Sequence, residues 1–264
     1  MTLHKELKKL KAYQSGERNV FTMYLNTNPA DPEQLNGAWE IHLKNGIKEL
    51  DKKLDDSNEE QEQKDFKVIK QKIIKELDDH KEELHKGIVL FAAEEPPLWS
   101  VHYVQVPVKN SFHWENLPQL EQLEYMYKAY PEAGIIMPSF GEVRILDTAM
   151  GMVKEDFSYS FDPNLEEWGE KKNMDPGGKH AIGSSKVDFL ESRLKENVKR
   201  FFKSMGTTVQ KLKKEKGWAE IHVAGETELA IAFSEILPEK PASCVYKNLN
   251  NSKPADIIHQ VFEK

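Results

Sequence analysis

Residues 133–147 read AGIIMPSFGEVRILD, two apolar runs joined by the short turn PSFG. The runs are rich in isoleucine and valine and the turn holds a glycine, a pattern typical of a β-hairpin. A third run of strand-forming residues follows at 153–161. The stretch therefore predicts strands over 133–137, 142–148 and 153–161, which open a domain.

Downstream of this hairpin the sequence continues with a long helix and further elements. Apolar residues recur at helical spacing and predict a basic helix over 185–216. They are Val187, Leu190, Leu194, Val198, Phe201 and Met205. The elements predicted after it are a strand at 218–224, a helix after Gly225, a strand near 243–246 and a helix from Ala255. We expect a mixed-sheet domain over 116–264 whose longest excursion is a loop over 162–184.

The N-terminal half predicts a second α/β domain, over residues 1–115. Its predicted helices are 2–13, a segment marked by Trp39 to Leu54 and a segment marked by Phe66 to Leu84, and its predicted strands are 19–27, 87–93 and 99–106. The fold class expected for the whole chain is therefore α/β (α+β), with two mixed-sheet domains.

Charge and composition restrict the function. The chain carries a net charge of −7, yet thirteen Lys and Arg residues oppose five acidic residues over 171–217, a local charge of +8. One basic segment in an acidic chain favours a local polyanion contact over indiscriminate nucleic-acid binding. No apolar run is long enough to span a membrane. The single cysteine, Cys244, rules out an internal disulfide and suggests a cytoplasmic protein.

Residues 175–186, DPGGKHAIGSSK, lie within the predicted loop. Gly178 and Gly183 have the spacing of a phosphate-binding loop, but Ser184 stands where its lysine is required. His80 and His85 are five residues apart and do not share a helix face, so we expect no metal and no cofactor. A Gly-Gly pair permits close backbone approach, and its N–H groups are able to stabilise an oxyanion.

At this point the chain resembles the archaeo-eukaryotic class I peptide-chain release factors, with Pelota and the bacterial release-factor-like proteins. Their middle domain has a loop with a Gly-Gly-Gln tip followed by a long basic helix, which Gly177-Gly178-Lys179 and SSKVDFLESRLKENVKRFF resemble. WAEIHVAGETELAIAF and AGIIMPSFGEVRILD are similar to the strands and helix of the same domain. HKGIVLFAA and SVHYVQVPVKNSFHWENL resemble the end of the family's first domain.

The resemblance implies a cytoplasmic protein that binds the large ribosomal subunit and tRNA and acts on peptidyl-tRNA in nascent-chain release, as in rescue or quality control. The implied catalytic candidates are Gly177, Gly178, Lys179, His180, Gly183, Ser184 and Ser185. The implied RNA-binding candidates are Lys171, Lys172, Lys186, Arg193, Lys199 and Arg200.

Two departures from the family pattern leave alternatives open. Lys179 replaces the tip Gln, and the tip itself is either Gly177-Gly178 or Gly183-Ser184. Stop-codon decoding is not expected, because the connection between the first domain's helices reads DDSNEEQEQKD and repels mRNA. Besides a peptidyl-tRNA hydrolase-like enzyme, the sequence is compatible with a non-catalytic hibernation or rescue factor in the A site, or an α/β interaction protein with an ordinary loop. It leaves the oligomeric state undecided.

Overall fold

A computed structural model describes residues 3–14, 16, 18–57, 59–162, 167–171 and 202–263. The chain divides into two compact units, Met1–Lys128 and Ala129–Lys264. The division falls within the last turn of a helix, Glu121–Ala129, whereas the sequence analysis places the boundary before that helix.

The first unit contains a four-stranded sheet of order β3-β2-β1-β4, antiparallel throughout. Its elements are α1 (Leu3–Ala12), β1 (Val20–Asn26), α2 (Ala38–Ser57), α3 (Glu60–Asp79), β2 (Gly87–Ala93), β3 (Leu98–Val104), β4 (Ser111–Glu115) and α4 (Glu121–Ala129).

One face of this sheet packs against the helix pair α2 and α3. Alternate residues of β1 and β2, among them Met23 and Leu90, meet Ile47 and Ile73 in one hydrophobic cluster. The helices bury residues three or four positions apart, so each presents one apolar stripe to the sheet.

The side chain of Tyr24 lies on the other face and explains why α4 belongs to the first unit. Its hydroxyl donates to the backbone carbonyl of Gln119 (2.7 Å) and accepts from the backbone N–H of Leu123 (3.2 Å). Leu123 and Met126 of α4 are buried. These contacts hold α4 against β1.

The second unit contains a six-stranded mixed sheet of order β10-β9-β5-β6-β7-β8. Strands β5 to β8 are antiparallel neighbours, while β9 is parallel to β5 and β10 is parallel to β9. Its elements are β5 (Ala133–Ser139), β6 (Glu142–Ala149), β7 (Met152–Asp162), β8 (Glu167–Lys171), helix α5 (residues 202–216), β9 (Glu220–Ala224), α6 (Thr227–Ile236), β10 (Ser243–Val245) and α7 (Pro254–Phe262).

Helices cover both faces of this second sheet. Phe202 and Val209 of α5 and Phe233 of α6 pack with Ile136 and Ile145 on one face. The C-terminal helix α7 packs on the other face, where Ile257 and Val261 join a separate cluster. The two crossover connections from β5 to β9 and from β9 to β10 therefore place α5 and α6 side by side.

The α/β (α+β) class with two sheets is confirmed, and the structure adds two strands that the sequence analysis did not assign. β4 lies between the predicted strand 99–106 and the predicted domain boundary at 115/116, and β8 lies in the range predicted as a loop, 162–184. Both are edge strands of five residues. In β4, Phe112 and Trp114 pack against the hydrophobic core of the first unit. Strand β8 is held by its antiparallel pairing with β7.

Candidate functional site

Most of the residues singled out from the sequence lie outside the described residues. They are Lys172, Gly177, Gly178, Lys179, His180, Gly183, Ser184, Ser185, Lys186, Arg193, Lys199 and Arg200. The described candidate is Lys171, the last residue of β8, which is the register partner of Ser158 in β7. The described part of the site therefore consists of β7 and β8, which precede residues 172–201, and α5, which follows them.

Helix α5 buries one face and exposes lysines on another. Its buried side carries Phe202, Met205, Val209 and Leu212. With 3.6 residues per turn, Lys203, Lys211 and Lys214 fall within an arc of about 80° and extend along about 17 Å. All three are exposed. We call these three residues the basic face of α5.

The lysines of α5 differ in whether they pair with acidic residues of other elements in the same unit. Lys213 pairs with Glu239 and Lys216 pairs with Glu155, so these two fasten the helix to its own unit. Lys211 is 3.9 Å from Glu215, an exposed pair that contributes little. Within the described part of the chain, Lys203 and Lys214 have no acidic partner. The described helix carries five lysines and one glutamate, a local charge of +4.

Close backbone contact fixes α5 against α6. A Cβ placed on Gly206 would lie 2.9 Å from the backbone oxygen of Ile236, closer than a side chain tolerates. Glycine at this position therefore allows the two helices to approach each other, which sets the position of the basic face relative to the sheet.

The C-terminal end of α5 is anchored by a buried polar contact. Gly217 has a φ of +76°, and its N–H donates to the carbonyl of Lys213 (3.0 Å), so the helix ends there. The next residue, Trp218, donates from Nε1 to Oδ1 of Asp147 (2.7 Å). The pKa of Asp147 is raised above its ordinary value, because the effect of burial is larger than the opposing effect of the hydrogen bond from Trp218.

A second buried carboxylate lies in the same unit. Glu132, with a side chain 3% exposed, is 3.4 Å from the Nζ of Lys154. Its backbone carbonyl also accepts the N–H of Ala219 (2.7 Å). Together with Asp147 and Trp218, these contacts hold the start of β9 directly after α5.

A cleft of about 370 Å³ lies between β7 and α5. Phe157 and Tyr159 of β7 line it, with their rings edge to face at 6.2 Å, and Thr208 and Lys211 line it from the helix. Lys211 thus belongs both to this cleft and to the basic face. Glu155 and Glu215 also line the cleft and pair with its two lysines, Lys216 and Lys211, so the charges of the cleft balance within the protein.

The sequence analysis counted Lys203, Lys211 and Lys214 in the basic segment but did not select them as contacts. The signal that identifies them is helical phase, because they share the side of α5 opposite its apolar stripe. Among the described residues, no group of three or more His, Cys, Asp or Glu side chains is arranged to hold a metal ion. In the same part of the chain, no helix is long and apolar enough to cross a membrane.

Comparisons with known proteins place this site in a family. A family model for the bacterial archaeo-eukaryotic release factor family 5 matches residues 131–263, about half of the chain. The uncharacterized protein YocB of Bacillus subtilis (strain 168) is 28% identical over 249 residues, which cover 93% of this chain and 92% of that protein.

Two solved structures match the chain at low sequence identity and low TM-score. The archaeal translation termination factor aRF1 is 15% identical with a TM-score of 0.33, over 97% of this chain and 72% of that chain. A second archaeal protein is 14% identical with a TM-score of 0.32, over 96% and 68%. By the match over 131–263, the chain belongs to the bacterial archaeo-eukaryotic release factor family 5, which gives it a release-factor-related role in translation and the ribosome as its general partner.

Proposed function

We propose that the protein binds the large ribosomal subunit in the cytoplasm and promotes release of the nascent chain from peptidyl-tRNA, in rescue or quality control. The basic face of α5 contacts RNA phosphates, and the segment 172–184 reaches toward the CCA end of the tRNA. Stop-codon reading is not part of this function, because the α2–α3 connection is acidic.

The observation that carries the proposal is the basic face of α5. Lys203 and Lys214 have no acidic partner in the described part of the chain, so their charges remain available to an external polyanion. The other side of α5 is buried in its unit, and Lys213 and Lys216 secure the helix. A cationic surface on a helix that is fixed to its own unit suits the phosphate backbone of rRNA or tRNA.

Residues 171–186 supply the chemistry in this proposal. Backbone N–H groups of Gly177 and Gly178 donate to the ester carbonyl as it becomes an oxyanion, or hold the attacking water. Such donors do not require the Gln that Lys179 replaces. In a second arrangement, Lys179 and His180 assist cleavage near the tRNA 3′ end, with His180 as the proton-transfer group. Separately, the tip is either Gly177-Gly178 or Gly183-Ser184-Ser185. Lys171, Lys172, Lys186, Arg193, Lys199 and Arg200 complete the proposed phosphate contacts.

The second candidate is a non-catalytic factor that occupies the A site during hibernation or rescue. The observation that favours it is Lys179 at the position of the family's Gln. In that case the basic face of α5 still binds RNA, and the Gly-Gly segment only docks.

Ribosome binding tests the proposed surface directly. Lys203, Lys211 and Lys214 are changed together to Gln, which keeps helix propensity and removes three charges. Cosedimentation with 50S subunits over a salt series is expected to show weaker binding by the variant. Its plot of log affinity against log salt is expected to be shallower by about 2, if each lost phosphate contact contributes about 0.7.

The matched control changes three exposed lysines elsewhere in the same unit, Lys240, Lys247 and Lys253, to Gln. This variant loses the same charge but keeps the basic face of α5. Equal loss of binding in both variants would show that only net charge matters. Wild-type protein that binds neither ribosomes nor tRNA would contradict both candidate functions.

A further inference from the structure

Four strands lie at the edges of the described sheets, and one of them lacks the features that protect an edge. β10 has three residues, β4 has five and ends in Glu115, and β8 has five and contains Glu167, Glu170 and Lys171. β3 has seven residues, LWSVHYV, with no proline and no Lys, Arg, Asp or Glu. Its register with β2 is continuous. Long uncharged edges of this kind pair with further strands.

The sequence of β3 is complementary to itself. In an antiparallel pair of two such strands with the two-fold axis at Val101, Trp99 faces Tyr103, Ser100 faces His102 and Leu98 faces Val104. Trp99, Val101 and Tyr103 then meet their counterparts on one face of the sheet. On the other face the Ser100–His102 pairs lie between Leu98–Val104 pairs, and Ser100 and Val104 are already buried within each chain. A strand with no such symmetry would place unlike groups opposite each other.

The outer side of β3 is accessible at its aromatic end. Trp99 is 42% exposed, although it is one of the largest apolar side chains in the unit. It borders a cleft of about 620 Å³ between α3 and the turn that joins β2 to β3. Within the described part of the chain, no strand lies beyond β3 in this sheet.

The other face of β3 is already organised for polar pairing. Ser100 donates to Glu6 of α1 (2.8 Å) and lies 3.0 Å from Nε2 of His102. Burial lowers the pKa of His102, and the nearby Glu6 opposes this. Burial therefore disfavours a positive charge on His102, and the charged group beside this part of β3 is the carboxylate of Glu6, 3.6 Å from Nε2 of His102.

We propose that β3 is a self-association edge, at which a second copy of this chain pairs antiparallel about Val101 and joins two four-stranded sheets into one of eight strands. The interface is isologous and closes at two copies, because β3 is then no longer an edge. The proposal is independent of the proposed ribosomal function.

Light scattering on the purified full-length chain tests the proposal. The wild type is expected to show the mass of two chains at high micromolar concentration and to dissociate on dilution. Trp99→Lys places a charge at both ends of the paired strands and is expected to raise the dimer dissociation constant about tenfold or more. Ile41→Lys, at a 61% exposed position on α2, is the matched control and is expected to leave the dimer intact.

Symmetric crosslinking tests the register. In a Cys244→Ser background, Val101→Cys places two thiols across the proposed axis, within the distance a disulfide requires. Oxidation is expected to give covalent dimer much faster than with Ile41→Cys in the same background. Monomeric wild type at every concentration, a dimer that Trp99→Lys leaves unchanged, or equal crosslinking by both cysteine variants would overturn the proposal.

Discussion

Trp218 and Gly134 show how single residues fix the base of α5. Gly134 lies on β5 beneath the indole ring, and a Cβ there would be 2.4 Å from a ring carbon. The indole N–H then reaches Asp147 on the neighbouring strand. The position of the Trp218 ring therefore depends both on the absence of a side chain at Gly134 and on the hydrogen bond to the buried carboxylate of Asp147.

Gly134→Ala is expected to destabilise the second unit. The added methyl group has no space under the ring, and overpacking of this kind costs about 1–3 kcal/mol. Gly169→Ala in β8 is the matched control, because nothing lies within 4 Å of its Cβ position, and we expect a change within about 0.5 kcal/mol. Urea unfolding of both variants measures the difference, and equal stability of the two would contradict the contact.

Asp147 predicts a pH dependence with a definite sign. Burial raises its pKa above the ordinary 3.8, so the folded protein holds this proton more tightly than the unfolded chain does. The contribution of Asp147 to the free energy of unfolding therefore falls as pH rises from 3.8 through the raised value.

Asp147→Asn removes this titration and keeps an oxygen that accepts from Trp218. Relative to wild type, the variant is expected to gain stability as pH rises from about 3 to 7, because most other groups titrate alike in both proteins. Urea titrations at several pH values measure this difference. A difference that stays flat, or that falls with pH, would show that the pKa of Asp147 is not raised.

At the scale of elements, the hydroxyl of Tyr24 in β1 anchors the start of α4. Tyr24→Phe removes a donor to Gln119 and an acceptor for Leu123, both at buried or half-buried positions. The expected loss is about 1–3 kcal/mol in the free energy of unfolding, because a buried N–H loses its partner. Tyr125→Phe, at a side chain 73% exposed on α4, is the control and should change stability little. Similar effects of both substitutions would contradict the anchoring role of Tyr24.

The elements also show which parts of the fold are predictable from the sequence. The hairpin of β5 and β6 follows from two apolar runs rich in β-branched residues that flank a turn with a glycine. The helices α2 and α3 follow from apolar residues that recur at helical spacing. Strands β4 and β8 are short edge strands, and their pairing partners are distant or depend on a turn, so local composition does not reveal them. The sequence also identified the basic segment, but the choice of Lys203, Lys211 and Lys214 requires the phase of α5.

At the scale of the whole molecule, function rests on an uneven charge distribution. The chain is acidic overall, and its basic segment, residues 171–217, lies in the unit that matches the release factor family. In the proposed function, the acidic remainder of the chain repels RNA and thereby directs binding to the basic segment. This division explains how an acidic protein belongs to a family whose general partner is the ribosome.

Peptide release from 50S peptidyl-tRNA complexes tests the central claim most directly. Wild-type protein is expected to release the peptide. Gly178→Ala keeps the backbone N–H but adds a Cβ that hinders close backbone approach, so it is expected to slow release about 10²-fold while ribosome binding is unchanged. Gly169→Ala should release at the wild-type rate. Wild-type protein that binds the complexes and releases no peptide would contradict the hydrolytic function and leave the non-catalytic factor as the better description.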